Sequence, residues 1–417
     1  MSAPAPLEAP QFAHRDLACG LEFAADVLPE RQTVAACFRV LTGVADEPPE
    51  LIGLNSITER TLSKGTRKYD GQALADAFDA IGAQWSTASG RQSTLVRVLC
   101  LPEFTLTAVE LVAELLCRPV FPEEACKVAV QLAREEFKHL EDDPYELLRV
   151  ESQRLTLGPI YGRNPGGEEG TLARITPAVV SEHWRRCYSA GALQVAVAGP
   201  VDVEALIERL ETSFAGFGAA QRRGRAPADF TFSAATRRRE KDLKQQYMAI
   251  TLPGAAKDTD DYPVEEVLLG VLSGGMSGRL FTEVREKQGL VYWVGAWNEQ
   301  PRGKGIVSLG ASTTPERCRK TYETLVREIG RVAEDLTEEE LERARNQWIA
   351  QSYTEDDLTR ARANGLSDDL FHFSRPIGPG PKVEAIRAVT RERVVAYAER
   401  LAAAPRCVTT VGPAALD

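Results

Sequence analysis

The chain closes each of its halves on nearly the same phrase, "VAVAGPV" at residues 195–201 and "VTTVGPA" at 408–414. In both, a short apolar, β-branched run ends in Gly-Pro, and Pro200 and Pro413 stand about half the chain apart. A repeat on this scale implies one supersecondary layout built twice. The pattern between the two phrases agrees. The first half opens with strand-like runs, "LEFAADVL" and "QTVAACFRVLTG", then helical segments at 50–63 and 70–81 that stop at Gly65 and Gly82. "QWSTASGRQSTLVRVLCL" alternates about a turn at Ser89-Gly90, the pattern of a hairpin. Helical patterns follow at 103–117, 122–141, 144–157 and 177–189, then the strand "LQVAVAG" and a helix from about 202. The second half repeats the outline: a strand "QQYMAITLPG", helices at 261–273 and 277–288, and a strand pair "VYWVGAWNE" and "GKGIVSLGAST". Helices at 315–333, 337–362 and 391–403 and the strand "RCVTTVG" complete it. This predicts an α+β fold of two homologous halves, each a mostly antiparallel sheet with helices packed on one face. Residues 1–216 make the first half and 243–417 the second. Between them, 217–242 reads as a linker with two basic clusters, "RRGR" at 222–225 and "RRREK" at 237–241.

At about 150 residues per domain, 417 residues suffice for two or three cores. Hydrophobic residues at 43% and charged residues at 26% describe an ordinary globular chain. The net charge of −10 argues against a general nucleic-acid binder. No run approaches the roughly 18–20 apolar residues of a membrane span. The N-terminus lacks a basic segment followed by an apolar one, so the expected location is cytoplasmic. Eight cysteines with no CxxC read as reduced core residues. Of the four histidines no two are three or four apart, so no helical histidine pair can be built locally. His139 and His183, in charged helical segments, read as surface or half-buried residues.

The stretch "GLNSITERTLSKGT", residues 53–66, sets Ser56, Glu59 and Arg60 on neighbouring positions of one helix. Read alone, these three are a site, the remains of one, or a solvated surface. Further blocks narrow the choice: "LAREEFKHLEDDPYELL", "YGRNPGGEEGTLARIT", "LQVAVAGPVD" and "LSGGMSGRLFTEVREKQGLVYWVGA". In order and spacing, over nearly the whole chain, they resemble the pitrilysin/insulinase-type zinc peptidases. The similar branch includes mitochondrial processing peptidase and small bacterial relatives.

Active members of that branch carry H-x-x-E-H, two imidazoles one helical turn apart that hold Zn²⁺ with a distant carboxylate while the glutamate serves as general base. The resemblance places Ser56 and Arg60 where the histidines belong, Glu59 on the base, Glu136 on the distant ligand and Ala129 on a second acidic position. A hydroxyl is a poor zinc ligand and a guanidinium cannot coordinate metal. The expectation is therefore no metal or other cofactor in this chain, with Arg60 in the metal's place, paired to Glu136 and within reach of Glu59. By itself Arg285 reads as a solvated charge and Tyr292 as core. Within the matching block they resemble the Arg/Tyr pair of the family's C-terminal half, which implies that Tyr292 stabilises the oxyanion and Arg285 holds the substrate backbone. Gly289 between them suits a left-handed helix end. "LSGGMSGRL" (272–280) lacks the ending of a phosphate loop and reads as a hinge or substrate-facing helix start.

The resemblance implies a zinc-free subunit of a dimer, with zinc in a homologous partner carrying H-x-x-E-H. The implied substrates are unstructured peptides added along a sheet edge. Two other readings stay open: an inert scaffold built on the same fold, and a peptidase with a rearranged metal site.

Overall fold

The computed structural model describes residues 11–219, 221 and 224–416. The repeated phrases become inner strands of two sheets. The first sheet contains β1 (Gln11–Asp16), β2 (Glu22–Val27), β3 (Val34–Val40), β4 (Gln84–Ser89), β5 (Thr94–Cys100) and β6 (Leu193–Gly199), in the order β1-β2-β6-β3-β5-β4. The second contains β7 (Ala235–Arg239), β8 (Gln246–Gly254), β9 (Val291–Glu299), β10 (Gly305–Thr313) and β11 (Cys407–Val411), in the order β7-β11-β8-β10-β9. β2 runs parallel to β6 and β7 parallel to β11, while the other pairings are antiparallel. Strand for strand, β2, β6, β3, β5 and β4 therefore match β7, β11, β8, β10 and β9, and β1 is an addition to the first sheet. The duplication and the mostly antiparallel α+β class are as the sequence predicts.

Alternation along the strands gives each sheet one strongly apolar face. In the first, Phe23, Phe38, Val96 and Val98 pack with Leu54, Ile57, Phe78 and Leu115 from helices. In the second, Met248, Ile250, Val307 and Leu309 pack with Val267, Leu268 and Leu325. The middle of the opposite face of the first sheet carries small residues, Ala24, Ala35, Cys37, Ala196 and Ala198. The helix Thr359–Phe373 lies on them through Ala363, Leu366 and Leu370. In the second sheet the helix Pro144–Thr156 does the same, with Leu147 and Leu148 against Ala249 and Val411, and Ser152 hydroxyl 3.1 Å from that of Thr251.

These crossing helices come from the other half of the sequence. One compact unit comprises the described residues of Met1–Phe137, Asn164–Arg225 and Thr354–Gly380. The other comprises those of Lys138–Arg163, Ala226–Tyr353 and Pro381–Asp417. Several elements differ from the sequence reading. The helical stretch 337–362 is two helices, Glu338–Asp356 and Thr359–Phe373, separated by Asp357 and extended Leu358 at φ −99°, ψ 118°. Residues 280–286 form a π-helix rather than an α-helix. β7 lies within 217–242, and its "RRREK" cluster is neutralised: Arg237 pairs with Glu151, and Arg239 and Lys241 with Glu141. In "RRGR", Arg225 pairs with Asp46 at 2.7 Å, while Arg222 and Arg223 lie outside the described residues.

His183 is fully buried, not a surface residue. Its ring lies 3.3 Å from Asn55 Oδ1, and burial pushes its pKa down to about 4, so it is neutral near pH 7. All eight cysteines are free thiols, five of them buried. Among the described residues no helix is long and apolar enough to cross a membrane.

Candidate functional site

The helix Leu54–Leu62 begins at Gly53, whose φ of +99° and contact with Gly167 leave no room for a side chain. A Cβ at Gly53 would sit 2.7 Å from Gly167 Cα. The buried carboxylate of Glu47 caps the helix, accepting from the Gly53 and Asn55 N–H groups at 3.0 and 2.7 Å. Every residue of this helix except Arg60 is buried. A solvated surface is thereby excluded for Ser56 and Glu59, which are 7% and 8% exposed. The Thr58 and Thr61 hydroxyls bond back to Leu54 O and Ile57 O at 2.8 and 2.7 Å, which lets polar side chains occupy a buried helix.

Glu59 is held by Thr87 on β4, whose hydroxyl donates to Oε1. Burial raises the Glu59 pKa above the ordinary carboxylate value, and the Thr87 bond and the charges of Arg60 and Lys64 offset part of that rise. Thr87 is missing from the sequence reading because a threonine in an alternating strand carries no signal of a partner on a distant helix. Arg60 turns toward the helix Glu123–Asp142 instead. Its Nη1 and Nη2 donate to the two carboxylate oxygens of Glu136 at 3.0 and 2.7 Å, a fork-to-fork pair. Ala129, on that same helix, is buried. This donor set does not fit Zn²⁺: one would-be ligand position is a cation, and that cation already engages the carboxylate that would serve as another. Among the described residues no cluster of three or more His, Cys, Asp and Glu side chains could hold a metal ion.

Arg285 and Tyr292 belong to the second unit. Arg285 lies in the π-helix Leu280–Glu286, where the Lys287 N–H donates to Thr282 O, five residues back. Its guanidinium rests 5.0 Å from the centre of the Phe281 ring and is exposed to solvent. The turn that follows is pinned. Gly289 adopts φ +58°, its N–H reaches Arg285 O at 3.0 Å, and Leu290 N–H reaches Val284 O at 3.0 Å. Arg317 and the Thr313 hydroxyl bind the Gly289 and Leu290 carbonyls, each at 2.5 Å. Tyr292 then emerges on the edge strand β9, 61% exposed and not in the core. Just upstream, Arg279 anchors the glycine-rich segment by ion pairs to Glu340 and Asp335, leaving Met276 exposed.

Comparison with known proteins follows this geometry. Residues 23–156 match the family described as Insulinase (Peptidase family M16), and residues 174–348 match the Peptidase M16 inactive domain. The chain belongs to the pitrilysin/insulinase family. It is a member whose first-half helix lacks both histidines of the zinc motif. Similar proteins include an uncharacterized zinc protease of Rickettsia felis, 25% identical over 389 residues, covering 93% of this chain and 94% of the relative. An uncharacterized zinc protease of Streptomyces coelicolor is 26% identical over 407 residues, covering 94% and 88%. Among solved structures, a peptidase M16 inactive domain from Pseudomonas fluorescens superposes with a TM-score of 0.87 at 19% identity, covering 97% of this chain and 98% of that one. A protease from Helicobacter pylori gives 0.87 at 16% identity, covering 97% and 100%. At these identities the two structures establish the fold alone.

Proposed function

We propose that this chain is the zinc-free subunit of a hetero-oligomeric peptidase of the processing type. It pairs with a homologous chain that carries H-x-x-E-H and the zinc. The observation that carries this reading is the contrast between the two sets of family positions. On the first-half helix Arg60 is committed to Glu136, which leaves no coordination site, whereas Arg285 and Tyr292 stand exposed on a pinned turn. Tyr292, at the start of β9 just after the pinned turn, carries a phenol suited to donate a hydrogen bond to the developing oxyanion of a peptide. Arg285 offers a planar set of donors to the substrate's carbonyls. Substrates on this reading are unstructured peptides, which the enzyme takes up as an added strand along a sheet edge.

The test is reconstitution with a homologous chain that carries H-x-x-E-H. Tyr292→Phe and Arg285→Ala should each lower peptide turnover of the complex by roughly tenfold or more, as loss of an oxyanion donor does, while the complex stays assembled by size-exclusion chromatography. Unchanged turnover in both variants would favour the inert scaffold. Peptide cleavage and stoichiometric zinc in the isolated chain, abolished by Glu59→Gln, would instead mean a rearranged metal site.

A further inference from the structure

The face of the first sheet that lies under the helix Thr359–Phe373 has a cavity of about 180 Å³ at its β4–β5 corner. Gln84, Arg97 and Leu99 line it from the strands, and Arg360, Ala363 and Asn364 from the helix. Strand alternation sets this cavity on the opposite side of the sheet from Thr87 and Glu59, so it is no part of the family's zinc position.

Its charges are out of balance. Two other arginines on this face have acidic partners: Arg39 bonds Asp368 at 3.1 Å, and Arg362 pairs with Asp26 and Asp356. Among the described residues Arg97 and Arg360 bind neutral amides only. Arg97 Nε donates to Asn364 Oδ1 at 3.0 Å, and Arg360 Nη2 donates to Gln84 Oε1 at 2.6 Å. Among the described residues neither forms an ion pair. The amides fix the direction of both guanidiniums and leave most of their ten N–H donors unspent, without cancelling either charge.

The duplicated unit makes the opening significant. There β9 and β10 match β4 and β5, and Tyr145 is the second residue of its crossing helix, as Arg360 is of Thr359–Phe373. Tyr145, Trp293 and Trp297 occupy that corner, with ring centres 5.8 and 6.0 Å apart in succession. The tryptophans lie across Gly310, where a Cβ would meet them at 2.7–2.9 Å. One copy of the layout packs this corner with aromatic rings, and the other leaves it open between two uncompensated cations.

We propose that the cavity binds a carboxylate carried on a small apolar body. A guanidinium fork matches the two oxygens of a carboxylate, and both Arg97 and Arg360 present one to the cavity. Leu99 and Ala363 form an apolar wall that suits an aliphatic group. Against that wall the extra charge of a phosphate would be costly to desolvate.

The test is calorimetric titration of the full chain with N-acetyl-leucine, N-acetyl-leucinamide and inorganic phosphate. The acid should bind at one equivalent, about tenfold or more tighter than the amide or phosphate, the factor expected for one charge-assisted bond. Arg97→Gln and Arg360→Gln should each weaken the acid by about tenfold or more, and Arg387→Gln, an exposed arginine in the other unit, should not. Arg360 is exposed at a helix start, so its variant stays folded, which a thermal melt verifies. No binding, equal binding of acid and amide, phosphate binding as tightly as the acid, or unchanged affinity in either variant would overturn the assignment.

Discussion

Glu59 is bonded to a strand threonine and sits beside a cation that is turned away toward Glu136. Its pKa is raised chiefly because burial disfavours the charged form. The folded state therefore keeps the Glu59 proton over a pH window in which the unfolded chain has lost it. Stability from this group is fully present below the ordinary glutamate value and is lost as pH rises through the raised folded value. Glu59→Gln removes that loss. The melting temperature of the variant minus that of the native chain should be near zero below about pH 4 and grow in the variant's favour by about pH 7. A pH-independent difference would show that Glu59 ionises as it does in the unfolded chain. The Arg60–Glu136 pair, half open to solvent, contributes only roughly 0–1 kcal/mol to the fold.

At the scale of elements, the helix Thr359–Phe373 is the one that the sequence hides. "TRARANGLSDDLFHF" has few large apolar residues, because the middle of the sheet face that it covers is built from alanines and a cysteine, met by Ala363, Leu366 and Leu370, and the rest of the contact is polar, with Arg362 on Asp26 and Arg39 on Ser367 and Asp368. Its start is equally obscure, since the break after Asp356 is only two residues, Asp357 and the extended Leu358, with no glycine or proline. Leu370→Ala should cost roughly 2–5 kcal/mol in denaturant unfolding, the range for a fully buried leucine. Leu358→Ala, at a residue 60% exposed, should stay within about 0.5 kcal/mol. Equal small effects would mean that the helix is not part of the cooperative core. The π-helix before Gly289 was equally invisible, because a widened turn changes hydrogen bonding and leaves the apolar pattern helical.

For the whole molecule, the chain halves and the compact units are different divisions. A fragment of residues 1–225 keeps the first sheet, but it lacks Thr354–Gly380 and carries Lys138–Arg163 without the sheet it packs on. Such a fragment should aggregate in size-exclusion chromatography and exchange its β3 and β6 amides rapidly. Adding a peptide of residues 354–380 should restore protection. A monomeric fragment with protected β3 and β6 amides would show that the crossing helix is dispensable.

By itself the sequence determined the duplication and most of the strands and helices of each half, and its resemblance to the family set Ser56 and Arg60 at the two histidine positions. All three rest on local pattern: period-two and helical spacing, a phrase stated twice, and side-chain chemistry that no environment can change. Only the tertiary structure decided which helix covers which sheet, that Glu59 belongs to Thr87, that Tyr292 is exposed, and that one corner of the duplicated layout is filled by rings while the other is lined by cations. Those outcomes depend on residues far apart in the chain, whose complementarity in size and charge becomes visible only when packing brings them within a few ångströms of each other.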